Sequence, residues 1–131
     1  MEQHLKLIGI LLILLATIHF IFPSYFKWRI QLASVSLVNR QMMYIHTFFI
    51  ALVVFLMGLL CFTSADEMIH TALGKKITLA FAVFWSIRLV IQFIGYSYKL
   101  WLGKRFETIV HILFSLLWIY LSVVFFWIYF N

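Results

Sequence analysis

The chain is 131 residues long, 66% hydrophobic and 20% aromatic, with 11% charged residues and a formal net charge of +6. An ordinary soluble domain is about half apolar and a quarter charged, so this composition excludes one. With one proline and five glycines it equally excludes a disordered, collagen-like or low-complexity chain, and places the protein in a lipid bilayer as a single integral membrane domain over residues 1–131.

Four apolar stretches, 5–22, 42–63, 77–98 and 108–130, are each long enough to cross about 30 Å of hydrocarbon at about 1.5 Å per residue. In lipid every backbone amide needs a partner within its own segment, so runs of this length are helices, and the short alternating segments of an outer-membrane barrel are absent. The expected fold is all-α, a four-helix transmembrane bundle with a short interfacial segment between helices 1 and 2.

The first span carries Glu2 as well as Lys6 at its start, and no small-residue cleavage site follows residues 19–23, so it reads as a retained helix and not as a leader. Pro23 is expected to end it. Residues 24–41 fit a surface helix on the face Phe26, Ile30, Ala33 and Leu37, with Ser36 a cap for a second span that begins near Leu37. Ser64 and Glu67 have capping-box spacing after the second span. Cys61, in an apolar run without a second cysteine in the chain, reads as an inert buried thiol. Gly9, Ala16, Thr47, Ala51 and Gly58 read as small residues that let helices approach closely.

The positive charge follows a membrane pattern and not that of a nucleic-acid binder. Lys27, Arg29 and Arg40 follow span one and Lys99, Lys104 and Arg105 follow span three, whereas Lys6, Lys75 and Lys76 on the other side are offset by Glu2, Asp66 and Glu67. Lysine- and arginine-rich short loops stay cytoplasmic, which places both termini on the non-cytoplasmic side. Tyr25, Trp28, Tyr44, Tyr96, Tyr98 and Trp101 then lie at the cytoplasmic interface, with Trp127 and Tyr129 at the other.

His19, His46 and His111 each lie about one turn inside a helix end on that cytoplasmic side. Arg88, Gln92 and Tyr96 follow at i, i+4 and i+8 on one face of span three. Glu107, His111, Ser115 and Ser122 share a stripe of span four, and Asn39 lies two turns before His46. An intramembrane arginine costs about 2.5–3.5 kcal/mol on insertion scales and marks a functional site by default. The bland readings are an arginine hydrogen-bonded between helices, histidines satisfied by a neighbouring helix, and Trp85 and Trp118 as lipid-facing or core aromatics.

Three functional readings compete. In the first, an electropositive pocket takes the head group of a membrane lipid or anionic amphipath on Arg88, Gln92, Tyr96, His19, His46, Asn39 and Arg105, with His111 and Glu107 as an acid–base pair and Arg88 stabilising negative charge if the site is catalytic. In the second, the histidines bind haem or hold a metal, His19, His46 and His111 being the available ligands. In the third, the chain is a structural or assembly subunit beside partner membrane proteins, or a homo-oligomer. Four short helices with basic loops, Arg88, Tyr96 and either Arg105 or Asn39 resemble the membrane-associated eicosanoid and glutathione metabolism proteins. That resemblance implies trimeric glutathione-using enzymes. The glutamate which that family places one turn after its span-two asparagine is absent, Met43 standing there.

Overall fold

The computed structural model describes residues 1–95, 103 and 105–131. The described residues form six helices in chain order, α1 (Glu2–Tyr25), α2 (Trp28–Gln31), α3 (Leu37–Thr63), α4 (Ala65–His70), α5 (Ala72–Ile94) and α6 (Arg105–Phe130), and no strand. α1, α3, α5 and α6 are long and apolar enough to cross a bilayer. The chain is therefore a small multi-pass helical membrane protein, all-α as the composition requires.

Each span is longer than its apolar run, because capping and not hydropathy sets the ends. Ser36 accepts a hydrogen bond from Asn39 N and starts α3 at Leu37, as expected. Thr71 accepts from Gly74 N at 2.9 Å, so α5 begins at Ala72 and takes Lys75 and Lys76 into its first turns instead of leaving them in a loop. Pro23 does not end α1. It sits in the last turn, where its missing N–H costs one backbone bond, and Phe26 N still closes on Phe22 O at 2.9 Å. The surface segment after it is one turn, α2, and not a long amphipathic helix. Lys27 adopts a left-handed conformation (φ 53°) that interrupts the helix, and Ser36 is extended.

Two compact units divide the chain, residues 2–65 and 66–131. In the first, α1 and α3 run antiparallel, as the pairing of Gly9 with Gly58 and of Phe20 with Phe48 shows. The buried face of α1 is Leu5, Ile8, Gly9, Leu12, Leu15 and Ala16, and that of α3 is Ala51, Val54, Gly58 and Cys61. A Cβ on Gly9 would lie 2.7 Å from Gly58 O, and one on Gly58 would lie 2.7 Å from Gly9 O. Backbone meets backbone here, the close approach that small residues allow where lipid supplies no hydrophobic drive to associate.

In the second unit α5 and α6 are also antiparallel, with Trp85 stacked on Trp118, Gln92 against His111 and Phe81 against Phe125. α4 packs on the first turns of α5, where the buried Thr78 hydroxyl lies 2.8 Å from Gly74 O and 3.4 Å from Met68 O.

Candidate functional site

The polar residues of α5 and α6 meet one another. Arg88 lies six residues before Ile94 and His111 six residues after Arg105, so antiparallel pairing brings both about 9 Å inside their helix ends. Between them stands Gln92, buried at 5% exposure. Its Oε1 accepts from Arg88 Nη1 at 3.2 Å and from Trp118 Nε1 at 3.3 Å, and its Nε2 donates to His111 Nδ1 at 3.0 Å.

These partners fix the chemistry of the centre. A guanidinium and an indole N–H are donors only, so the oxygen of the Gln92 amide must face them and the NH2 must face His111. Nδ1 of His111 is thereby the acceptor of this bond. The guanidinium carbon of Arg88 lies 4.9 Å from the centroid of Trp118, within cation–π range. Trp118 in turn stacks on Trp85 at 5.1 Å and on Phe114 at 5.7 Å. Phe93 meets the His111 ring edge-on at 5.9 Å, and Ser115 donates to the His111 carbonyl at 2.8 Å. A half-buried cation is thus held in one orientation by a neutral amide and an indole face.

Arg88, Gln92 and His111, three of the residues singled out from sequence, are joined in this way, and Ser115 and Ser122 of the same stripe are buried. Glu107 and Arg105 are exposed on the first turn of α6. Tyr96 lies outside the described residues. In the other unit, His19 donates from Nδ1 to Leu15 O of its own helix at 2.9 Å and lies beside Phe22, while His46 and Asn39 are exposed. Among the described residues no group of three or more His, Cys, Asp or Glu side chains is arranged to hold a metal ion.

Sequence reasoning missed Trp118 as a member of the centre. The signal was available, since Trp118 lies seven residues after His111 and so returns to the same helical face two turns on. No protein-family model, curated protein or solved structure matches the chain.

Proposed function

We propose that this membrane protein binds the anionic head group of a lipid or single-chain amphipath at Arg88. The observation that carries this reading is the Gln92 amide, which is buried and orients the guanidinium over Trp118 through Oε1. A planar guanidinium held in a fixed orientation matches a carboxylate or phosphate with two parallel hydrogen bonds, and its ordering cost is met before the ligand arrives. Arg88 is half-buried, and the apolar helix faces around it suit an acyl tail. The excess of Lys and Arg in residues 99–105 supports a cytoplasmic location for this end of α5 and α6.

The test is titration of the purified full chain in a neutral detergent with a lysophosphatidic acid, read by tryptophan fluorescence and by native mass spectrometry. Binding of one ligand is expected, weakened about ten- to a hundredfold in Arg88→Gln, the loss of charge-assisted hydrogen bonds of about 1.5–3 kcal/mol. Arg88→Lys keeps the charge without the fork and should recover only part of the affinity. Equal binding by Arg88→Gln and the wild type would remove the proposal.

A further inference from the structure

A second charged surface lies in the α1–α3 unit and stands independently of Arg88. Between the end of α1 and the start of α3, residues 26–40 carry Lys27, Arg29 and Arg40. The sole carboxylate of residues 2–65 is Glu2, at the far end of α1 and about 35 Å away along the helix. That is several times the screening length of about 8 Å at physiological salt, so the three cations share a field that no acid of their own unit offsets.

The fold gives this segment two faces. Trp28 is turned inward, 8% exposed, with its ring edge-on to Tyr44 of α3 at 5.4 Å. That contact ties the turn to the helix pair. Arg40 Nη1 donates back to Ala33 O at 3.4 Å and closes the loop over the start of α3. Lys27 is left-handed and interrupts the helix there, and Phe26 and Ile30 on either side of it are exposed, 51% and 72%. Large apolar side chains next to exposed Lys27 and Arg29, at the end of a membrane-length helix, form the pattern of an interfacial anchor: rings and branched chains enter the acyl boundary while cations meet phosphates.

We infer that residues 26–40 form a docking surface for anionic phospholipid, a leaflet rich in singly charged head groups such as phosphatidylglycerol. Charge complementarity selects that occupant. A zwitterionic leaflet offers the same apolar depth to Phe26 and Ile30 but no net charge to Lys27, Arg29 and Arg40.

The experiment presents the full-length protein in neutral detergent with equimolar phosphatidylglycerol and phosphatidylcholine of matched chains, and counts retained lipids by native mass spectrometry. The wild type is expected to prefer phosphatidylglycerol, and each of Lys27→Gln, Arg29→Gln and Arg40→Gln should lower that preference about fivefold, the worth of one basic residue near an anionic surface. The triple variant should show almost none. Lys75→Gln with Lys76→Gln should leave the preference unchanged, whereas Arg88→Gln should remove at most the one lipid of the site above and leave intact the further losses caused by substituting Lys27, Arg29 and Arg40, which keeps this inference distinct from the single-ligand site. Raising salt from about 0.05 to about 0.5 M on the wild type should collapse the preference, and this arm decides the matter even if the triple variant does not fold. A wild type without preference, a preference that survives high salt or the triple variant, or an equal loss in the Lys75 and Lys76 variants would each overturn the inference.

Discussion

The two helix pairs solve one problem by different means. Inside lipid, burying leucine against leucine gains little over burying it in acyl chains, so helices associate through close packing or hydrogen bonds. α1 and α3 use the first: Gly9 and Gly58 bring the two backbones together, and the residues around them, Leu5, Ile8, Leu12 and Val54, are apolar. α5 and α6 use the second, with Gln92 bonded to Arg88 on its own helix and to His111 and Trp118 on the other. The glycine contact has a shape and no chemistry. The glutamine contact holds a charge and an imidazole in fixed geometry, which is why the functional proposal rests on the second pair.

That contrast makes the two pairs fail differently. Gly58→Leu should have the largest effect, about 3–5 kcal/mol, because the added side chain meets Gly9 O and Leu12 Cβ with backbone on one side and no room to turn. Reversible unfolding in mixed micelles would measure it, and a loss below about 1 kcal/mol would show that the helices do not approach as closely as the glycines allow. Gln92→Leu should cost less, about 2–3 kcal/mol. It removes one acceptor shared by two donors and one donor to His111, and interhelical hydrogen bonds in membranes average well under 2 kcal/mol each. The sharper readout is tryptophan emission, since loss of the amide frees the Trp118 indole N–H while Gly58→Leu should leave it unmoved. A red shift from Gly58→Leu equal to that from Gln92→Leu would erase the distinction between the pairs.

Much of this was legible from residue order, and the reasons differ from place to place. Hydropathy alone yields four spans, since no other structure satisfies the backbone over such runs. Ser36 was readable as a cap because a side-chain oxygen ahead of an apolar run has one good use there. Thr71 escaped notice because Lys75 and Lys76 mask the start of α5, and a helix that opens on cations against its own dipole reads as a loop. The periodicity of Arg88 with Gln92, and of His111 with Ser115, assigned the right faces. It carried no information on which helix each face meets. The shared depth of His19, His46 and His111 was equally visible, yet depth does not fix direction: within its own unit His19 turns to its own carbonyl ladder and His46 is exposed on α3. Trp118 was read as bulk because an indole carries most of its surface as hydrocarbon, and a single N–H shows its use only when an acceptor faces it.

The smallest expected effect has the opposite sign and tests whether hydrogen bonding in the α5–α6 pair ends where the network does. Ser115 and Ser122 lie two turns apart on α6, both buried. Ser115 donates to His111 O at 2.8 Å, whereas Ser122 Oγ, like Trp85 Nε1, has no hydrogen-bond partner among the described residues. Removing a buried hydroxyl that lacks a partner relieves a desolvation penalty, while removing one that is bonded forfeits the bond. Ser122→Ala should therefore be neutral or stabilising by up to about 1 kcal/mol, and Ser115→Ala destabilising by about 0.5–1 kcal/mol. Denaturation of the two variants side by side separates the cases, since they make the same chemical change on one helix. A clear loss of stability in Ser122→Ala would show that its hydroxyl is bonded, and the polar interior of this pair would then extend beyond the Gln92 network.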